Sequence, residues 1–289
     1  MLGVAGVSYG FYLTFMKMAN NSGYMREDLM AGQYLFATII LGVIVFARYR
    51  QALKVKQVLK LFLVGVFGFA CSFCMYETVA ITSTAFAVTM LFQYVWLGIL
   101  FDCIVRRKLP TRPIVIAMIL VVAGTPFATG VFESSSSVSV PGLLWGIGAA
   151  ATYVGMLWTS ARLETKLPSV TRTFNFSIAQ TILAVIISQK FFITVVEDPQ
   201  VLVFVIPISL VSVVIPCLLI MKGAPQVPMG ITTIMTGLEL PAVIILGSMF
   251  LGEIHSISVI CGVLLICAGI VAANWTAIVE LRERDKAKA

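Results

Sequence analysis

The chain has 289 residues, of which 60% are hydrophobic and only 11% are charged. A soluble domain carries about 25% charged residues, so this composition excludes a soluble enzyme and a disordered protein. Its six cysteines lie in apolar stretches and do not indicate a disulfide scaffold. The net charge of +7 does not indicate a nucleic-acid partner, because excess Lys and Arg in a membrane protein sets its topology. The chain is a multi-pass membrane protein.

Ten apolar segments follow one another along the chain. They are continuous rather than alternating, which distinguishes them from the strands of a membrane barrel. A helix satisfies its own backbone hydrogen bonds in lipid, so we predict an all-α membrane protein with ten transmembrane helices. The segments are residues 2–18, 29–47, 58–81, 84–105, 113–132, 141–161, 174–187, 201–221, 229–251 and 257–277.

Basic residues are concentrated on one side of the predicted membrane. Most of the 20 Lys and Arg residues lie in residues 48–60, 106–112, 162–172 and 282–288. Connections on the other side carry mainly acidic residues. By the positive-inside rule, both termini are predicted to lie in the cytoplasm, with the protein in the cell membrane.

The two halves of the chain resemble each other at an offset of 145 residues. This offset places Gly10 on Gly155 and Gly124 on Gly269 without a gap. Each half has five predicted helices, an odd number, so the second half enters the membrane from the opposite side. The predicted organisation is a first repeat at residues 1–133, a Ser-rich linker at 134–140, a second repeat at 141–277 and a basic cytoplasmic tail at 278–289.

Inverted repeats of this kind are typical of secondary transporters, whose substrate sites lie near the membrane midplane between the repeats. Two copies that point in opposite directions can exchange conformations and so open a cavity to each side in turn. The repeat therefore predicts transport by alternating access.

Short motifs in the second half resemble those of the EamA branch of the drug/metabolite transporter (DMT) superfamily. They are Gly-Leu-Glu-Leu-Pro at residues 237–241, Leu-Gly-Glu at 251–253 and the glycine-containing last helix from Gly262 to Gly269. The first half has a weaker counterpart at residues 76–85 and at Ser8-Tyr9-Gly10. It departs from the pattern at Trp96, which stands where the second half has Pro241.

The resemblance implies ten helices in two inverted five-helix repeats and no enzymatic activity. It also implies movement of a small organic metabolite by alternating access, with export as a common direction. An amino acid, an amine or a drug-like solute would fit, and the resemblance implies no cofactor. The alternatives are a solute channel and a non-transporting membrane scaffold or receptor.

Glu239 is the principal candidate for the substrate site, because it lies near the middle of the ninth predicted helix. A charged residue at this depth costs roughly 2.5–3.5 kcal/mol on insertion scales, which favours a functional role. Glu239 would bind a substrate amine or a coupling proton; the alternative is a carboxyl that serves helix packing. Pro241 is expected to interrupt the helix nearby.

Polar and aromatic residues elsewhere could complete this site. The 145-residue offset places Tyr94 on Glu239, with Gln93 beside it. Aromatic side chains that could stack on a substrate occur on the first and sixth predicted helices, and helix packing is the alternative for each. These aromatic candidates are Tyr9, Tyr12, Tyr153 and Trp158.

Two further predictions concern gating and assembly. Lys17 and Glu77 lie near the external ends of their helices, where they could pair as an outer gate or extend separately to the headgroups. Gly142 and Gly146 form a GxxxG pattern, which permits close helix contact and a homodimer. The expected partners are therefore a small-molecule substrate, the lipid bilayer, a coupling proton and a second copy of the chain.

Overall fold

The structure is a computed structural model of the chain. It describes residues 1–49, 52–82, 84–107, 109–129, 131, 139–187, 194–195, 197–251 and 256–286. For residues 13, 17, 26, 27, 84, 85, 106, 251 and 273–286 it describes the backbone only.

All the regular elements in the described residues are helical. The helices are α1 (Leu2–Asn21), α2 (Arg26–Arg48), α3 (Val55–Ile81), α4 (Thr84–Leu91), α5 (Tyr94–Arg106), α6 (Arg112–Ala128), α7 (Val140–Arg162), α8 (Ser169–Ile187), α9 (Val201–Ser209), α10 (Ile215–Gly223), α11 (Met229–Thr236), α12 (Glu239–Leu251) and α13 (Ile257–Lys286). A π-helical segment, Leu210–Val214, joins α9 to α10, and a 3₁₀ turn, Ala224–Gln226, follows α10.

Most predicted segments coincide with helices, but three of them contain an interruption. The fourth divides into α4 and α5, the eighth contains the π-helical segment, and the ninth divides into α11 and α12. Hydropathy does not detect such interruptions, since a broken helix remains apolar throughout. Helix α13 continues to Lys286, through most of the predicted tail at residues 278–289. Most of the predicted linker, at residues 134–138, lies outside the described residues.

The helices have the length and composition of membrane spans. Seven helical segments are long and apolar enough to cross a bilayer, and two shorter apolar helices are Arg112–Ala128 and Ile257–Ala272. Large apolar side chains also cover the outside of the bundle; Val43, Val203 and Leu264 are each more than 60% exposed. A soluble protein would bury such residues, whereas lipid tails solvate them.

The helices α6 and α13 pack closely along one edge of the bundle through small residues. A Cβ atom on Gly124 would lie only 2.8 Å from the carbonyl oxygen of Gly262, and one on Gly269 only 2.9 Å from that of Ala117. Under the 145-residue offset, Gly124 corresponds to Gly269 and Ala117 corresponds to Gly262. The two contacts are therefore equivalent. The equivalent positions of the two halves therefore pack against each other reciprocally.

The two ends of the bundle differ in charge. We call the end that contains Lys60, Glu164 and Arg172 the basic end, and the end that contains Tyr24 and Asp198 the acidic end. The chain begins at the basic end, where Leu2 packs beside Gly223. The candidate site lies between these ends, at the interruptions of the α4–α5 and α11–α12 helices.

Candidate functional site

Two helices are interrupted at equivalent positions of the two halves. Residues 92–93 separate α4 from α5, and residues 237–238 separate α11 from α12. The offset of 145 residues relates these two interruptions directly. Discontinuous helices near the midplane are a common way to build a substrate site, because they free backbone groups and place helix ends there.

The second interruption lies at the place that Pro241 predicts. The amides of Gly237 and Leu238 bond to carbonyls three residues earlier, those of Ile234 and Met235, instead of four residues earlier. Pro241 then falls in the first turn of α12, where an amide hydrogen is not required. A new helix therefore begins at Glu239 without loss of a hydrogen bond.

The first interruption occurs without a proline. The backbone amide of Gln93 bonds to Met90 O at 3.1 Å, and the Gln93 side chain donates to the carbonyl of Thr89 at 3.0 Å. The side-chain oxygen of Gln93 in turn accepts from the indole of Trp96 at 2.8 Å. The side-chain amide of Gln93 was predicted to orient a substrate. In the structure it bonds to one residue of α4 and one residue of α5, on either side of the interruption.

Glu239 is the first residue of α12 and is 8% exposed. Helix α1 contacts the chain directly before it, because a Cβ on Gly6 would lie 2.7 Å from the carbonyl oxygen of Thr236. One turn later, Gly10 contacts the backbone of Ala242. Two glycines thus allow α1 to pack closely against the helix that carries the buried carboxyl.

Tyrosines from both halves surround this position. The hydroxyls of Tyr94 and Thr236 lie 3.2 Å apart, and the ring of Tyr94 packs edge-to-face on that of Tyr153, with centroids 4.7 Å apart. The hydroxyl of Tyr9 lies 3.7 Å from the Sγ atom of Cys217. All three tyrosines lie within electrostatic range of the Glu239 carboxyl. We call Tyr9, Tyr94, Tyr153 and Glu239 the central cluster.

Tyr153 contributes a polar group that the protein does not satisfy. Its hydroxyl is buried and has no hydrogen-bond partner among the described residues, and the side chain is 6% exposed. Buried hydroxyl groups in proteins are nearly always bonded, so such an exception calls for an explanation. A bound solute would supply the missing partner.

The remaining aromatic candidates lie outside this cluster. Trp158 lies toward the basic end, where its ring packs on Phe101 and the Arg162 guanidinium lies 4.7 Å from its centroid. Tyr12 lies near Tyr34, whose hydroxyl donates to Ser72 at 2.7 Å. The structure thus brings together four of the seven predicted site residues.

The predicted outer gate and the predicted dimer motif have different outcomes. Glu77 is half-buried, but the side chain of Lys17 lies outside the described residues, so their pairing stays a prediction. Gly142 and Gly146 pack inside the chain, against Thr82 and Met90 respectively. The GxxxG pattern therefore serves contact between helices of one chain.

The sequence interpretation missed Arg172 as a buried residue, treating it as one of several loop cations. The side chain is 1% exposed, and its two terminal nitrogens donate to the carbonyls of Met221, at 2.5 Å, and of Ser160. It therefore connects α8 to the ends of α10 and α7. The sequence predicted that α8 begins at residue 174, whereas it begins at Ser169. Arg172 was therefore assigned to a loop although it lies in the helix.

Metal ligands do not converge in the part of the chain that the structure describes, where no three His, Cys, Asp or Glu side chains come together. The central cluster presents one carboxyl and one hydroxyl without a partner in the described residues, among aromatic rings.

The family model described as the EamA-like transporter family matches residues 1–129 and 140–275. The chain belongs to the EamA-like transporter family. It is therefore a membrane transporter of the DMT type and not an enzyme.

A solved structure described only as a crystal structure of a protein is similar over 96% of each chain, with 16% identity and a TM-score of 0.77. At this identity the likeness shows the fold alone. No curated protein matches the chain.

Proposed function

We propose that the protein is a secondary transporter that moves a small organic metabolite by alternating access, with export as its direction. The solute is an amino acid, an amine or a drug-like compound. One observation carries the proposal: a buried carboxyl, Glu239, lies at a helix interruption among tyrosines from both halves of the chain. Buried ionisable groups in membrane helices typically serve binding or proton transfer.

The proposed architecture is ten transmembrane helices in two inverted five-helix repeats, at residues 1–133 and 141–277. Two findings support it. The interruptions at residues 92–93 and 237–238 are equivalent under the 145-residue offset. The contacts Gly124–Gly262 and Gly269–Ala117 exchange under the same offset. Reciprocal packing of this kind is what a two-fold axis in the membrane plane produces.

The proposed location is the cell membrane, with both termini in the cytoplasm. The distribution of charge supports this orientation, because the basic end carries Lys54, Lys60 and Lys222 while the acidic end carries Asp28 and Asp198. Cytoplasmic connections are enriched in Lys and Arg. The basic end is then the cytoplasmic end.

In the proposed site, Glu239 binds a substrate amine or the coupling proton. The hydroxyl of Tyr153 donates to or accepts from a polar group of the solute, and the rings of Tyr9 and Tyr94 pack against its apolar part. A cation beside aromatic faces gains roughly 2 kcal/mol or more when water is excluded. This arrangement favours a solute that combines an amine with apolar or aromatic surface.

Counterflow in proteoliposomes tests the proposal. Vesicles loaded with excess unlabelled solute are given labelled amino acids, amines or sugars, with and without a pH gradient. Transient accumulation of one class supports a carrier, whereas simple equilibration indicates a channel. Absence of any flux, in protein shown to be folded, favours a scaffold or receptor.

The Glu239→Gln variant tests the assigned residue. We expect at least a ten-fold loss of counterflow, because an amide binds neither an amine nor a proton as a carboxylate does. Glu197→Gln is the matched control, since Glu197 is exposed at the acidic end. Unchanged rate and pH dependence in Glu239→Gln would contradict the assignment.

A further inference from the structure

The acidic end of the bundle carries hydrogen bonds to two aspartates. The hydroxyl of Tyr24 donates to Asp198 Oδ2 at 2.6 Å, and that of Thr194 donates to Asp28 Oδ2 at 2.9 Å. These bonds join the α1–α2 connection and the start of α2 to the α8–α9 connection. We call Tyr24, Asp28, Thr194 and Asp198 the acidic-end latch.

The basic end carries similar hydrogen bonds to one carboxylate. Lys60 Nζ lies 2.8 Å from Glu164 Oε1, and Gln57 donates to Glu164 Oε2 at 3.0 Å, so both oxygens of Glu164 are occupied. These bonds join the α7–α8 connection to the start of α3. Glu164 itself has a positive φ of 49°, an uncommon conformation for a residue other than glycine. We call Gln57, Lys60 and Glu164 the basic-end latch.

The two latches join equivalent parts of the two halves. The 145-residue offset places residues 22–25, between α1 and α2, on residues 167–170, at the start of α8. It also places residues 49–54, before α3, on residues 194–199, before α9. Each latch thus bonds a residue of the connection after the first helix of one half, Tyr24 or Glu164, to residues just before or at the start of the third helix of the other half.

Both latches are formed while the central cluster is buried. Tyr94 is 0% exposed and Glu239 is 8% exposed, and the cysteines beside them, Cys71 and Cys217, are also buried. A closed contact at each end with a buried site between them is the geometry of an occluded carrier. Movement of one half relative to the other can break either contact while the equivalent contact at the opposite end persists.

From this geometry we propose that Asp198 and Glu164 are the gating residues of the transporter, each holding one end of the bundle closed. The inference rests on the proposed alternating access. Opening toward the acidic end breaks the hydrogen bonds to Asp198 and Asp28 and keeps those to Glu164. Opening toward the basic end does the reverse.

The native cysteine Cys217 can report which end of the bundle is open. Cys217 lies beside Tyr9 in the central cluster, and a membrane-impermeant maleimide reaches it only when one end opens. Its labelling rate is measured by mass spectrometry of the Cys217 peptide in sealed vesicles of each orientation. We expect Asp198→Asn to raise the rate at least five-fold from the acidic end alone, and Glu164→Gln to raise it from the basic end alone.

Two variants serve as controls beside the latches. Glu197→Gln and Lys166→Gln change exposed charges at the acidic and basic ends and should leave labelling unchanged. An increase from both sides in either latch variant, or from neither, would overturn the proposal. Normal counterflow with unaltered labelling would refute the latches alone, whereas absence of counterflow in the unmodified protein would refute the transport proposal itself.

Discussion

Tyr94 and Thr236 join the two helix interruptions through hydroxyl groups that lie 3.2 Å apart. Tyr94 is the first residue after the interruption in the first half, and Thr236 is the last residue before the interruption in the second half. Both side chains are 0% exposed. The two halves of the transporter are therefore hydrogen-bonded to each other at the place where each has a broken helix.

Tyr153→Phe should weaken solute binding without lowering the stability of the protein. Its hydroxyl has no partner among the described residues, so its removal should leave the melting temperature unchanged or raise it. A solute that bonds to this hydroxyl should bind about ten-fold more weakly, the loss expected for one hydrogen bond of about 1.4 kcal/mol. Thermal unfolding in detergent and the half-saturation concentration of counterflow measure the two effects. A lower melting temperature with unchanged saturation would contradict the binding role.

Gly6→Ala should destabilise the protein, because the added methyl group would lie 2.7 Å from the carbonyl oxygen of Thr236 and 3.1 Å from the Glu239 amide nitrogen. Overpacking of this kind costs about 1–3 kcal/mol. We also expect slower transport, since α1 would displace the backbone that carries Glu239. Gly148→Ala is the control, because its methyl group would meet only Cys74 Sγ, at 3.5 Å. Equal melting temperatures for the two variants would refute the close packing of α1.

Arg172→Met should destabilise the basic end. The guanidinium satisfies the carbonyls of Ser160 and Met221, and each carbonyl left unpaired in a buried place costs about 1–3 kcal/mol. The expected result is a large fall in melting temperature, whereas Lys166→Met, at an exposed position, should have little effect. A small effect of Arg172→Met would show that water reaches these carbonyls.

The basic-end latch should resist mild acid. The pKa of Glu164 is held below its ordinary value. The largest cause is the hydrogen bond from Lys60, followed by that from Gln57, and the positive charges of Lys60 and Arg172 act in the same direction. A carboxyl with a lowered pKa keeps its contribution at neutral pH and loses it only as the pH falls through that lowered value. Labelling of Cys217 from the basic end, relative to Glu164→Gln at each pH, should therefore stay low from about pH 8 to about pH 5. An approach to the variant's rate near pH 6 would contradict this.

Two members of the central cluster, Glu239 and Tyr94, were singled out from the sequence for different reasons. Glu239 is expensive at mid-helix depth, and the internal offset then directed attention to Tyr94. Gln93 was named because it stands beside Tyr94, and in the structure its amide bonds to the carbonyl of Thr89.

The sequence by itself determined that this is an all-helical, multi-pass membrane protein, because only helices satisfy the backbone in lipid and long apolar runs record them. The tertiary structure alone decided which side chains meet. The burial of Arg172 and the hydrogen bonds to Asp198 and Glu164 depend on contacts between residues that are distant in the sequence. Hydropathy records the environment of each segment and carries no information on its neighbours, so these contacts become visible only when the helices are packed.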